Sequence, residues 1–247
     1  MIVCPLVFLA GFVDSIAGGG GLISLPAYLL AGLPAHYAIG TNKTAMSIGT
    51  FTAAAEYFKS GKIDLKVGIL AAIGSFIGAA IGSSIALMID DNILKIIMLA
   101  ILPAVAAFLL VKRDFGLAVD SLKELNSRRI ILSALLIGLV IGGYDGLIGP
   151  GTGTFLILAF SAFIGFDLIK SSGCAKVANL ASNVASMIIF LANGKVLIFL
   201  AIPAAVFAVA GNYAGAKLAI SGGNQYVRYV IFLVIGLLFV KMATELV

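Results

Sequence analysis

Ten apolar runs fill nearly all of this chain, and six of them are long enough to cross a lipid bilayer as helices. They cover residues 2–17, 22–31, 35–58, 67–89, 93–111, 130–148, 154–164, 169–192, 196–220 and 226–240. Hydrophobic residues make up 62% of the chain and charged ones only 11%, for a mean hydropathy of +1.17. That much apolar surface needs lipid as its solvent, and in lipid each backbone group must find its partner within a helix or a closed barrel. Runs of this length select helices. The reading is an all-α polytopic protein, a single integral membrane domain.

The composition also excludes other classes. The longest polar stretch, 112–129, is a linker, so no folded soluble domain is expected. The net charge of +5 reflects cations flanking membrane spans, and no nucleic-acid partner is expected. Cys4 and Cys174 lack metal or redox spacing and read as inert buried thiols. The N-terminus has no basic region and runs into charged and glycine-rich sequence, so a cleaved signal peptide is not expected.

The chain repeats itself. Gly11-Phe-Val-Asp14-Ser-Ile-Ala-Gly18 resembles Gly142-Gly-Tyr-Asp145-Gly-Leu-Ile-Gly149 at an offset of 131 residues, Asp14 to Asp145. Lys43 then matches Lys176, Gly61-Lys62 matches Gly194-Lys195, and Gly78 and Gly82 match Gly211 and Gly215, all at an offset of 133. The expected architecture is therefore two homologous repeats, 1–111 and 130–247, joined by a cytoplasmic linker at 112–129. Each repeat would hold a glycine-broken segment and three transmembrane helices. The linker cations Lys112, Arg113, Lys123, Arg128 and Arg129 place it inside, which puts Lys59, Lys62 and Lys66 inside and Asp90 and Asp91 outside. Full crossing by the broken segments makes the repeats parallel, and re-entrant segments make them inverted. Flanking cation counts do not separate the two. Discontinuous helices meeting at mid-membrane favour the inverted form.

Two motifs carry chemistry. The first is the glycine break, Gly18-Gly19-Gly20-Gly21 after Asp14 and Gly149-Pro150-Gly151-Thr152-Gly153 after Asp145. Each glycine costs a helix ~1 kcal/mol against alanine, and proline removes a donor, so both segments should stop and restart near Leu22 and Thr154. Restarting helices offer free N–H groups and a positive dipole end, which suit an anion. The second motif is a lysine about nine residues, or ~13 Å, into an otherwise oily helix, too deep to snorkel easily. A charge there costs at least ~3 kcal/mol and usually lines a pathway. Lys43 shares its helical face with Ser47 and Thr50, and Lys176 shares its face with Asn179, Asn183 and Ser186. Either lysine could instead pair with Asp14 or Asp145, and the two roles can coexist. Gly74, Gly78, Gly82, Gly211 and Gly215 read as close helix packing. His36, the single histidine, and Glu56 read as interfacial polar residues, with proton relay an alternative for His36.

Together these strings resemble the TauE/SafE sulfite exporter family, also called TSUP transporters. They are Gly11-Phe-Val-Asp-Ser-Ile-Ala-Gly-Gly-Gly-Gly-Leu22, Thr41-Asn42-Lys43, Gly143-Tyr-Asp-Gly-Leu-Ile-Gly-Pro-Gly-Thr-Gly153, and Lys176-Val-Ala-Asn179-Leu-Ala-Ser182-Asn183. The resemblance spans nearly the whole chain. It implies movement of sulfite, thiosulfate, sulfonates or similar anions across the cytoplasmic membrane. The expected function is a secondary transporter, an exporter by the resemblance, of sulfite or an organosulfonate-type compound. An anion channel, or a carrier of a short carboxylate, is the alternative.

The expected substrate-binding residues are Lys43, Lys176, Asn42, Thr41, Asn179, Asn183, Gly19, Gly20, Gly21, Gly151 and Thr152. Asp14 and Asp145 are expected as coupling or ion-pair residues. No cofactor, metal or catalytic residue is expected, because no nucleophile–base pair or ligand cluster is visible. No nucleotide-binding loop appears either, so energy must come from a gradient or another chain. The expected partners are the small anion, lipid and protons, with homo-oligomerisation left open.

Overall fold

The computed structural model describes residues 3–98, 100, 101 and 127–245, the side chains of 127 and 224–245 excepted. The described residues are helical almost throughout. In chain order the helices are α1 (Val3–Ala17), α2 (Gly21–Leu30), α3 (Ala35–Lys59), α4 (Leu65–Met88), α5 (91–98), α6 (Ser127–Leu147), α7 (Thr152–Ala159, continued by a π-helical turn over Phe160–Ile164), α8 (Leu168–Ala192) and α9 (Ile198–Glu245). α9 is two helices broken at Gly223, whose φ of 75° stops the first. The linker expected at 112–129 falls mostly outside the described residues. Arg128 and Arg129 open α6, so that helix starts earlier than the apolar pattern suggested.

Among the described residues, four helices are long and apolar enough to span a membrane: Leu65–Met88, Arg128–Leu147, Leu168–Ala192 and Ile198–Gly223. α3 has the length, with 25 residues, but its polar positions lower its hydropathy. The apolar residues turned outward lie along single helix faces. On α4 they are Leu65, Ile69, Ile73, Phe76, Ile77, Ile81 and Ile85, all more than 40% exposed. Exposed apolar stripes of that length belong against acyl chains, as in a multi-pass membrane protein.

Small residues set the packing. A Cβ on Gly74, Gly78 or Gly82 of α4 would fall 2.3, 2.1 and 2.1 Å from the carbonyl oxygens of Leu135, Leu139 and Gly143 on α6. On α9, a Cβ at Gly211 or Gly215 would fall 2.1 and 2.3 Å from the carbonyl oxygens of Phe8 and Phe12 on α1. In both pairs the numbers climb together, so α4 runs parallel to α6 and α9 to α1. The expected packing role of these glycines is what the structure shows, since only glycine allows such backbone approach. α3 and α8 run the opposite way to one another: Gly40 packs on Phe190, while Thr50 meets Asn183.

Local signals set the helix ends. Asp64 caps α4 through Val67 N–H, and Asp167 caps α8 through Ile169 and Lys170 N–H. At the start of α3, Asp91 reaches across from α5 to accept from the N–H groups of Ala35 and His36.

Candidate functional site

Both glycine breaks form, and they meet. α1 ends at Ala17, and Gly18 turns the chain at a φ of 78°; α6 ends at Leu147, followed by Gly149 and Gly151 at φ of 93° and 79°. The helices restart at Gly21 and Thr152, slightly earlier than expected. Thr154 N–H donates to the Gly18 carbonyl at 3.2 Å and its hydroxyl to the Ala17 carbonyl at 2.7 Å. A Cβ at Gly18 would lie 2.0 Å from the Gly153 backbone, so the contact is glycine on glycine. Irregular backbone is thereby buried against irregular backbone, as the bilayer interior demands.

Each deep lysine pairs with the aspartate of the other half. Lys43 Nζ lies 2.6 Å from Asp145 Oδ2, and Lys176 Nζ lies 2.7 Å from Asp14 Oδ2. All four side chains are at most 6% exposed. The sequence left open which aspartate, if either, each lysine meets; here Lys43 meets Asp145 and Lys176 meets Asp14. Removing one partner from such a pair leaves an unpaired charge in low dielectric, a change that costs ~3–5 kcal/mol. Further donors converge on Asp145: Ser182 Oγ at 2.5 Å and Asn179 Nδ2 at 3.4 Å. Asp14 Oδ1 accepts the Gly20 N–H at 3.3 Å, so the α2 N-terminus already has an anionic partner.

A polar cavity of about 20 Å³ lies between the breaks. Asp14, Gly21, Asn42, Lys43, Asp145, Thr152, Asn179 and Asn183 line it, together with Gly18, Leu25, Met46, Gly149 and Gly153. Asn42 Oδ1 is buried with no hydrogen-bond partner. Asn183 bridges Thr50 and Asn179, joining α3 to α8 across the site.

Several expected residues stand elsewhere. Lys176 is fully buried behind its partner Asp14 and does not line the cavity, so the two ammonium groups do not face one another across it. Thr41 turns away because its hydroxyl accepts the Leu197 N–H at 3.1 Å. Gly20 takes part through its N–H to Asp14, and Gly151 serves as the left-handed cap of α7; neither lines the cavity, nor does Gly19. Ser186 leaves the lysine stripe to bond Ser83 of α4. Sequence reasoning missed Ser182, although it sits one turn from Asn179 on the same helix. His36 contacts Asp91 through Nδ1 at 2.9 Å, outside the site, and Glu56 pairs with Lys59. Cys174 is buried as expected, whereas Cys4 is half-buried.

Apolar helices of spanning length around a buried polar cavity define a polytopic membrane protein. The chain belongs to the TauE/SafE sulfite exporter family: the family model "Sulfite exporter TauE/SafE" matches residues 3–242. Among similar proteins, "Probable membrane transporter protein ORF9" of Sinorhizobium sp is 33% identical, over 96% of this chain and 90% of its own length. A "Probable membrane transporter protein" of Haemophilus influenzae is also 33% identical, over 96% and 92%. "Probable membrane transporter protein YfcA" of Escherichia coli is 30% identical, over 96% and 87%. No solved structure matches the chain significantly.

Proposed function

We propose that this protein is a secondary transporter of a small sulfur-containing anion, sulfite or an organosulfonate, which it binds between two inverted repeats in the cytoplasmic membrane. The observation that carries the reading is the crossed pairing of Lys43 with Asp145 and of Lys176 with Asp14 around one polar cavity. A buried ammonium held by a carboxylate is a charge that substrate can compete for. Asn42, Asn179, Asn183 and Thr152 supply neutral polar groups beside Lys43. The sulfur-oxyanion class comes from the family's name, and the cationic and amide lining is chemically suited to it.

The repeat reading has its own support. Contacts recur in swapped form at the sequence offsets: Gly40 packs on the Lys195 carbonyl and Gly173 on the Lys62 carbonyl, each at 2.2 Å from a built Cβ. The corresponding helices α3 and α8 run antiparallel, which fits a two-fold axis in the membrane plane and an inverted duplication. The break segments α1–α2 and α6–α7 then act as re-entrant pieces, each held by a helix of the opposite half.

A cavity of about 20 Å³ holds roughly one water. A polyatomic anion therefore requires the two breaks to part, which favours a carrier over an open channel. The test is flux of radiolabelled sulfite, thiosulfate, methanesulfonate or acetate in proteoliposomes. Saturable flux of a sulfur anion by the wild type, abolished by Lys43→Gln in folded protein, is the expected result. Undiminished flux in that variant would refute the site. Single-channel currents would replace the carrier with the channel reading, and flux of acetate alone would transfer the site to short carboxylates.

A further inference from the structure

The two ion pairs differ in how firmly their carboxylates are held. Asp145 Oδ2 collects three side-chain donors, from Lys43, Ser182 and Asn179. Asp14 has one side-chain donor, Lys176, and one backbone N–H, from Gly20. The difference is built into the sequence. At the repeat offset, Ser182 and Asn179 of α8 correspond to Gly49 and Met46 of α3, and neither supplies a side-chain donor for Asp14. Gly49 is fixed by packing, because a Cβ there would meet Asn212 and Ala208 of α9 at 2.7 and 2.8 Å.

The pairs also differ in how they face the cavity. Lys43 and Asp145 both line it, whereas only the carboxylate of the other pair does. Asp14 thus stands between Lys176 and the cavity and neutralises it. With both aspartates ionised, the two ammonium and two carboxylate groups sum to zero charge. An incoming anion would then be an unpaired charge in a dry site, which is costly. One proton removes that cost.

We infer that Asp14 takes up the proton that accompanies the anion, and that Ser182 positions Asp145 so that it stays ionised as the partner of Lys43. The inference rests on the carrier reading above. A proton from the open side converts the Asp14 carboxylate to a carboxylic acid. The Lys176 ammonium behind it, no longer neutralised, supplies the positive charge that the anion in the cavity balances. Release of both on the other side restores the Lys176–Asp14 pair, and a monovalent anion with its proton moves no net charge. Among the described residues, the groups facing Asp14 are Lys176 from α8, Lys43 and Tyr57 from α3, and Asp145 from α6 across the cavity. α9 lays Gly211 and Gly215 against α1, and neither titrates.

The test uses the full-length protein in proteoliposomes and whichever anion of the sulfite, thiosulfate, methanesulfonate and acetate panel gives the largest flux. Wild type should accumulate a monovalent anion about tenfold for each pH unit of gradient, the limit for one-to-one coupling. Asp14→Asn should lose accumulation, and the pH dependence of any remaining counterflow should disappear with it. Asp145→Asn should lose both accumulation and counterflow. Ser182→Ala should add acid inhibition to the counterflow pH profile, and Ser182→Thr should remove it. If Asp14→Asn does not fold, infrared difference spectra of Asp14→Glu decide the matter: the protonated-carboxyl band of the wild type should move to the glutamic acid position. Persistent accumulation in Asp14→Asn, uncoupling by Asp145→Asn instead, or an unmoved band in Asp14→Glu would overturn the inference. The carrier reading would survive those outcomes if Lys43→Gln still abolished flux. No flux of any anion in the wild type would remove both.

Discussion

At the scale of single residues, the site is four charges that cancel in pairs inside a bilayer. Such pairs add little net stability against apolar replacements, but breaking one is expensive. Lys43→Gln should therefore destabilise the protein by ~3–5 kcal/mol, because Asp145 is left charged and buried, with only Ser182 and Asn179 to satisfy it. The double variant Lys43→Gln with Asp145→Asn should recover most of that loss without recovering transport. Thermal unfolding in detergent, read beside flux, separates the two effects. A double variant as unstable as the single one would show that the pair is not the source of the cost. The lysines themselves were legible in the sequence, since a cation amid apolar residues is conspicuous. Their partners were named but not assigned, because linear spacing cannot say which half supplies the carboxylate.

At the scale of elements, glycine decides which helices touch and aspartate decides where they begin. The spacing of Gly74, Gly78 and Gly82 foretold close approach but not its partner, α6, which the fold brings alongside in parallel. Asp91 shows a second kind of tie. Burial pushes its carboxyl upward, but the N–H groups of Ala35 and His36 and the His36 ring outweigh that and hold it below the usual aspartate range. A carboxyl held down in the fold contributes stability above its unfolded value, near ~3.9, and loses it as pH falls through the folded one. The join between α3 and α5 should thus weaken only in acid. Unfolding midpoints followed downward from about pH 6 should fall more steeply for wild type than for Asp91→Asn. Parallel profiles for the two proteins would rule that join out as an acid-sensitive element.

At the scale of the whole molecule, the cations among the described residues are distributed unevenly between the two ends. Lys59, Lys62, Lys66, Arg128, Arg129 and Lys170 sit at the end where α3 joins α4 and α6 begins, with Lys170 bridged to Asp64. Asp90, Asp91, Lys95 and Lys195 sit at the other end. The excess of cations predicts that the first end faces the cytoplasm. Single cysteines at Lys62 and at Asn193, both exposed residues in connections between helices, test this in whole cells. A membrane-impermeant thiol reagent applied outside should label position 193 and spare 62. The reverse labelling would invert the orientation.

The sequence alone determined that this chain lives in lipid, that its helices break at two glycine clusters, and that two lysines lie deep within the apolar slab. Composition and local spacing suffice for these because they depend on hydropathy and backbone freedom, which are properties of neighbours in the chain. Only the tertiary structure decided that the lysines are neutralised crosswise and that Asp14 stands between Lys176 and the cavity. The tertiary fold also brings Ser182 to Asp145, from 37 residues further along the chain. Those facts follow from the antiparallel packing of α3 on α8 and the burial of one break against the other. Such long-range juxtapositions leave no period or spacing in the sequence to read.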